Sequence, residues 1–187
     1  MNRTRVLPGV PGIWIFILLD MLFFSVLFLA YGMERARQPQ LFAAAQAQLN
    51  VALGLCNMLV LLTSSWLVAQ AVHAIRLGRT RAGKRLLVAA LCCALVFAAV
   101  KLVEYGQEFS RGITPLTDSF FTLYFSLTFF HFLHVLAGSV VLAILARNTG
   151  LCAYDSGRTS GLETGATYWH MVDLIWIMLF PLLYLAK

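Results

Sequence analysis

Residues 120–145 read FFTLYFSLTFFHFLHVLAGSVVLAIL, a run in which only His131 and His134 titrate near neutral pH. A helix rises about 1.5 Å per residue, so this run is longer than the roughly 30 Å hydrocarbon core of a bilayer. The run therefore predicts a transmembrane helix that is long enough to tilt.

The rest of the 187-residue chain follows the same pattern. Apolar residues make up 60% of the sequence and charged residues 12%, with a mean hydropathy of +0.81. Soluble domains have about 45–50% apolar and about 25% charged residues. The composition therefore excludes a soluble, disordered or secreted disulfide-rich protein. The sequence predicts an all-α polytopic membrane protein with one membrane domain over residues 1–187. Its five spans are expected at about 13–33, 51–75, 86–105, 120–145 and 168–185.

The basic residues predict the orientation of these spans. The N-terminus and the loops on its side carry nine Lys and Arg, whereas the opposite side carries four. Positive residues concentrate in cytoplasmic loops, so the N-terminus is expected in the cytoplasm and the C-terminus outside. The net charge of +6 does not indicate a nucleic-acid partner, because no glycine-rich phosphate loop or aromatic-interleaved basic patch accompanies it.

Ionisable side chains within the spans are the candidate functional residues. A charge at the middle of a membrane helix costs about 2.5–3.5 kcal/mol on insertion scales, so such groups usually face the bundle interior and have partners. Depth along the helices predicts one polar cluster on the cytoplasmic half and a second level nearer the outer end. The first comprises Asp20, His131, His134, His170 and Asp173, and the second comprises Lys101 and Glu104.

Two interpretations of these residues remain open: hydrogen bonds that fix helix packing, which we favour, and a proton or ion pathway. A ferritin-like di-iron site would need Glu-x-x-His motifs, which the chain lacks. His131 and His134 share one helix face and cannot face each other as haem ligands. No Gly-x-Ser-x-Gly nucleophile motif occurs either. We therefore predict no catalytic residue, no intrinsic metal and no intrinsic cofactor.

Motifs in every span resemble subunit III of haem-copper oxidases. The first span places a carboxylate before paired aromatics, and the third resembles the Gln-x-x-Glu-Tyr of that family. The fourth and fifth are the most specific. The matching stretches are Gly12–Phe16 with Asp20, Phe23, Phe24, Phe28 and Tyr31; Asn57, Leu61, Leu62, Ser64 and Ser65; Lys101–Tyr105; Asp118–Phe121 with Thr128–Val135 and Gly138; and Tyr168–Trp176.

Departures from the longer members point to a short branch of this family. Two N-terminal helices of the seven-helix members have no counterpart here, and the first-span carboxylate is Asp20 where oxidase subunits usually have glutamate. Phe129 and Phe132 stand where many members have glycine. Together with Thr114–Thr117 and Leu179–Leu183, these features resemble most the NorE proteins associated with bacterial nitric oxide reductase.

The resemblance implies a non-catalytic accessory subunit in the bacterial cytoplasmic membrane. Its partner would be the haem-bearing subunit of a nitric oxide reductase, and a phospholipid could occupy a cleft between its helices. The alternatives are subunit III of a terminal oxygen reductase, with cytochrome c or quinol as electron donor, and an independent proton- or ion-conducting protein.

Two structural expectations follow. Asp20 should hydrogen-bond to His131 or His134, and the resemblance favours His131. The bundle should be an open V, with spans 1 and 2 in one arm and spans 3 to 5 in the other. Aromatic residues and Asp20 should line a cleft that holds acyl chains or the partner.

Overall fold

The computed structural model describes residues 11–151, 154 and 159–185, and these residues form an all-helical fold. Five of its helices are long and apolar enough to cross a membrane, which confirms the predicted fold class. The helices are α1 (Pro11–Arg37), α2 (Pro39–Gln46), α3 (Val51–Arg76), α4 (Thr80–Ser110), α5 (Ser119–Gly150) and α6 (Ser160–Phe180), and α6 continues as a π-helical turn at Pro181–Leu185. Arg3, Arg5, Arg158 and Lys187, which entered the orientation argument, lie outside the described residues.

Helices α3 to α6 form a closed four-helix bundle. Each packs against two neighbours in the cyclic order α3, α4, α5, α6, and successive helices run antiparallel. On α3 and, apart from Ala98, on α4, the buried residues recur at alternating spacings of three and four, which is the heptad pattern of helices that share one core seam. On α3 this seam is Gly54, Asn57, Leu61, Ser64, Val68, Ala71 and Ile75, and on α4 it is Gly83, Leu87, Ala90, Ala94, Phe97, Lys101, Glu104 and Glu108.

The first transmembrane helix lies outside this bundle. Helix α1 packs on α5 and α6 rather than pairing with α3, so the expected V with spans 1 and 2 in one arm is wrong. The reason is the size of the seam residues. Gly54, Ser64 and Ala90 lie where α3 meets its neighbours, and small residues let membrane helices approach closely. Helix α1 instead contacts α5 and α6 through aromatic rings.

The short helix α2 covers one end of the bundle. We expect this end on the side of the membrane opposite the cytoplasm. Helix α2 lies in the linker between the first two spans, which the sequence indicated only as a polar loop. Phe42 of α2 packs edge-on against Phe120, with ring centroids 5.4 Å apart. Gln46 Nε2 donates to the carbonyl oxygens of Leu182 and Leu183 at 3.1 and 3.2 Å. These carbonyls lie in the last described turn of the chain, so α2 bonds the end of the last helix as a cap does.

Candidate functional site

The largest buried polar group of the bundle centres on an ion pair within α4. Lys101 Nζ donates to Glu104 Oε2 at 3.0 Å, and to the hydroxyls of Tyr124 and Tyr184 at 3.0 and 3.2 Å. Those hydroxyls donate in turn to Glu104 Oε1 at 2.8 and 2.5 Å. All four side chains are buried. We call these residues the lysine–glutamate network.

Every hydrogen-bond donor at the centre of this network is used. An ammonium group has three donors, and Lys101 uses all three. Both carboxylate oxygens of Glu104 accept, and the two charges cancel. The network therefore ties α4 to α5 and to the π-helical turn after α6. A closed, neutral arrangement of this kind fixes the relative positions of helices, and it offers no open position for a substrate or a metal.

One heptad from this network, towards the N-terminus of α4, lies a layer of polar side chains without partners in the described residues. His131 stacks on Trp176 with ring centroids 5.0 Å apart and meets the edge of Phe97 at 5.6 Å. Ser64 of α3 bonds the Ala90 carbonyl of α4, so Asn57, seven residues earlier on α3, lies level with Phe97, seven residues later on α4.

Five polar atoms of this layer have no hydrogen-bond partner within the described part of the chain. They are both ring nitrogens of His131, both amide atoms of Asn57 and Nε1 of Trp176, and all three residues are fully buried. Leaving such an atom unsatisfied costs about 1–3 kcal/mol. A polar interior layer of this kind can hold ordered water, which typically makes about three hydrogen bonds to groups otherwise unsatisfied.

A third polar contact joins the outlying helix α1 to the bundle. His134 Nε2 of α5 lies 2.9 Å from Asp20 Oδ2, an ion-pair distance, although the two groups are not aligned as a hydrogen bond. The other ring nitrogen, Nδ1, lies 2.7 Å from the Phe130 carbonyl oxygen. A carbonyl only accepts, so Nδ1 carries a proton.

The remaining predicted residues lie on the opposite side of α6, against α3. Ser65 Oγ of α3 is 2.7 Å from His170 Nδ1, and the Ser65 hydroxyl also interacts with the Asp173 carboxylate. The Oδ1 atom of Asp173 is buried and has no partner in the described residues, whereas His170 is exposed on the surface of the bundle.

The structure thus divides the predicted polar cluster into three places. Asp20 pairs with His134 rather than with His131, the partner that the resemblance favours. His131 lies inside the bundle beside Trp176, while Asp173 and His170 face α3. The separate level of Lys101 and Glu104 is where the sequence places it. Within the described residues no group of three or more His, Cys, Asp or Glu side chains is arranged to hold a metal ion.

Sequence reasoning missed several members of these sites. Tyr124 and Tyr184 complete the lysine–glutamate network, and Ser65 bonds His170. Asn57 shares the layer of His131. The heptad spacing of buried residues on α3 was the available signal for Asn57, since it places that amide on the same seam as Leu61.

An apolar groove lies beside the N-terminal part of α1, where this helix meets α5 and α6. Its volume is about 560 Å³, and it lies between α1, α5 and α6. Phe16 and Tyr168 meet across it with ring centroids 5.9 Å apart. A second groove between α4 and α5, about 420 Å³ in volume, is lined by aromatic rings that include Phe125, Phe129 and Phe132. Asp20 is not among the residues that line either groove.

The fold and these contacts define a class: a polytopic membrane protein whose charged interior pair is neutralised within its own helix bundle. The sequence profile described as "Cytochrome c oxidase subunit III" matches residues 4–186, and the chain belongs to that family. Proteins of this family are non-catalytic subunits that partner the catalytic subunit of a haem-copper oxidase.

Relatives from distant organisms align with much or all of the chain. It is 26% identical over 187 residues to a probable cytochrome c oxidase subunit 3 of Mycobacterium bovis, covering all of this chain and 91% of the relative. It is 30% identical over 175 residues to cytochrome c oxidase subunit 3 of Synechocystis, covering 93% of this chain and 74% of the relative. The subunit of Lumbricus terrestris is 36% identical over 132 residues, covering 70% of this chain and 49% of the relative.

Proposed function

We propose that this protein is the accessory subunit III of a bacterial nitric oxide reductase complex in the cytoplasmic membrane. It would support assembly, stability or sustained turnover of the haem-bearing subunit. The observation that supports an accessory role best is the closed lysine–glutamate network, because its buried charges are paired and all its donors bond within it.

The choice of nitric oxide reductase as the partner rests on three features of the sequence. The first-span carboxylate is Asp20, and the stretches Thr114–Thr117 and Leu179–Leu183 resemble the nitric-oxide-reductase-associated branch. The side chain of Asp20 extends from α1 to His134 of α5. The aspartate side chain is shorter than the glutamate that oxidase subunits usually have. To reach His134 from Asp20, α1 must therefore lie closer to α5.

The second candidate is subunit III of a terminal oxygen reductase. The names of the relatives favour it, since the Mycobacterium and Synechocystis proteins are both named as subunits of cytochrome c oxidase. The mycobacterial relative is of similar length, so the short chain by itself does not favour nitric oxide over oxygen.

An independent proton conductor is the third candidate, and the distribution of polar groups argues against it. Asp20 and His134 lie at the α1–α5 contact, whereas His170 and Ser65 lie at the α3–α6 contact. No hydrogen bond joins the two sites among the described residues. A proton path would have to cross the aromatic interior between them.

Co-purification tests the proposal and separates the three candidates. An affinity-tagged chain is extracted in mild detergent from cells respiring nitrate and from cells respiring oxygen, and the haem spectrum and subunits of the product are recorded. We expect a haem-bearing nitric oxide reductase subunit, and we expect deletion of the gene to reduce nitric oxide consumption by membranes. Recovery of an oxygen reductase with reduced oxygen consumption would support the second candidate instead. A lone protein that conducts protons in liposomes would refute both.

We also propose that a phospholipid acyl chain occupies the groove between α1, α5 and α6. The groove is apolar and Phe16 and Tyr168 lie at its wall. Lipid extraction and mass spectrometry of the purified protein test this proposal. Phe16→Ala should change the amount of lipid retained, whereas Leu29→Ala, on the open face of α1, should not.

A further inference from the structure

The last transmembrane helix has one side that no other helix covers. Helix α6 contacts α3, α5 and α1, and the stripe between its contacts with α3 and α1 is exposed. This stripe comprises His170, Leu174 and Met178, of which the two apolar side chains are 48% and 49% exposed. We call it the open face of α6.

His170 lies deep within the hydrocarbon region. It lies inside the expected fifth span, 168–185, and follows Glu163, whose ion pair with Arg76 marks the polar end of α6, by seven positions, or about 10 Å at 1.5 Å per residue. Ionisable side chains at such depth are costly when they face lipid, and they usually face protein or a water-filled cavity. In the isolated chain only the Nδ1 edge of His170 meets protein, at Ser65 of α3, and the rest of the ring is exposed.

Other exposed polar side chains at this depth bond their own helix. Ser25 Oγ donates to the Met21 carbonyl at 2.7 Å, and Thr63 Oγ1 donates to the Leu59 carbonyl at 2.8 Å. These hydroxyls need nothing from outside the helix. His170 differs, because its Nδ1 bonds Ser65 while its Nε2 has no partner in the part of the chain that the structure describes.

Lipid cannot supply the missing partner. Acyl chains carry no hydrogen-bond donor or acceptor, and the polar headgroups lie at the ends of the helices, far from His170. A transmembrane helix of another protein can place a polar side chain or a carbonyl at this depth. Polar side chains at membrane helix contacts commonly hydrogen-bond across the interface.

We propose that the open face of α6 is the docking surface for a transmembrane helix of the haem-bearing catalytic subunit. A polar group of that helix bonds His170 Nε2, and its apolar side chains cover Leu174 and Met178. Helices α1 and α3 flank the docked helix. The inference rests on membership of the subunit III family and holds for either a nitric oxide or an oxygen reductase.

The first experiment compares two histidine variants of the full-length tagged chain, expressed with its native reductase. We expect His170→Leu to lower the haem-bearing subunit recovered per tagged chain by about tenfold, which corresponds to about 1.4 kcal/mol, the scale of one interhelical hydrogen bond. His73→Leu is the matched control, because His73 is exposed in the last turn of α3, where headgroups and water can solvate it. Equal recovery with both variants would overturn the proposal.

A second measurement does not depend on a loss of binding. A photo-crosslinking amino acid, benzoylphenylalanine, replaces Leu174 on the open face of α6, and in a control it replaces Leu29 of α1, which is 67% exposed. We expect position 174 to give an adduct with the haem-bearing subunit more often than position 29. An adduct with a second copy of this chain, or with lipid alone, would overturn the proposal. The same thermal unfolding for each isolated variant and the wild type shows that the variants fold.

Failure of this inference and failure of the proposed function give different results. If the wild-type chain recovers no haem-bearing subunit, both are wrong. If the wild type and His170→Leu recover it equally, and position 174 gives no adduct with it, the accessory role stands and only the docking surface is refuted.

Discussion

Replacing one member of the lysine–glutamate network should destabilise the protein far more than replacing both charged members together. Glu104 accepts from Lys101, Tyr124 and Tyr184, so Glu104→Leu leaves a fully buried ammonium without its counter-charge. Breaking a buried ion pair by removing one partner costs about 3–5 kcal/mol. Lys101→Met strands the carboxylate in the same way, and we expect a loss of the same size.

The double variant removes both charges and leaves only the tyrosine hydroxyls to be satisfied. These hydroxyls lie 3.5 Å apart and can bond each other after a small movement. Their residual cost is about 1–3 kcal/mol, the range for an unsatisfied buried polar group. The two single losses would sum to about 6–10 kcal/mol, so the double-mutant cycle should give a coupling energy of at least about 3 kcal/mol.

Unfolding in mixed micelles with increasing mole fraction of SDS, followed by tryptophan fluorescence, measures these free energies. Trp176 is a suitable reporter because its ring lies 5.4 Å from Lys101 Nζ. The Glu34–Arg37 pair is the control, since it has the same i,i+3 spacing but its side chains are 29% and 66% exposed. Glu34→Leu should cost no more than about 1 kcal/mol. A loss below about 1 kcal/mol for Glu104→Leu, or additive single losses, would refute the reasoning.

Three further predictions concern packing, the unpartnered layer and metal content. Gly138→Val should destabilise the protein by about 1–3 kcal/mol, because a Cβ there would lie 2.6 Å from the Trp169 ring. A Cβ at Gly32 would have nothing within 4 Å, so thermal unfolding in detergent should be nearly unchanged in Gly32→Val and clearly lowered in Gly138→Val. Asn57→Leu removes two unpartnered buried atoms, so SDS unfolding should show no loss of stability; a loss above about 1 kcal/mol would mean that Asn57 has a partner. Chelator-treated protein should show no haem absorption and no stoichiometric metal by elemental analysis; iron, copper or zinc that is lost in His131→Ala would contradict the accessory role.

Hydropathy predicts the number of membrane helices but underestimates their length. The third span was expected at 86–105, and α4 extends over Thr80–Ser110. The added turns carry Arg81 and Arg85 at one end and Glu108 at the other, and their charge lowers the hydropathy average. A helix nevertheless continues into the headgroup region, where such side chains are solvated or paired, as Glu108 is with Arg111 at 3.6 Å.

The partners of the candidate residues depend on contacts that are distant in the chain. Lys101 and Glu104 lie three residues apart, so their pairing could be predicted from spacing alone. Tyr184 is 80 residues from Glu104, and no local pattern links the two. Depth along the helices placed Asp20, His131 and Asp173 near one level, but depth does not say which way a side chain faces around its helix. The structure separates all three for that reason.

A few specific contacts attach α1 to the bundle. Only 6% of the residues in its most apolar 18-residue stretch are buried, so apolar contact with the bundle holds it weakly. Ring contacts such as Phe16 against Tyr168 and Phe23 against Phe130 add to this. Two polar contacts also hold α1: Asp20 lies against His134, and the Tyr31 hydroxyl donates to the Leu182 carbonyl at 3.2 Å. Lipid offers α1 apolar surface as good as that of the bundle. The polar contacts therefore decide where the helix lies, which explains why a carboxylate is placed on an otherwise apolar helix.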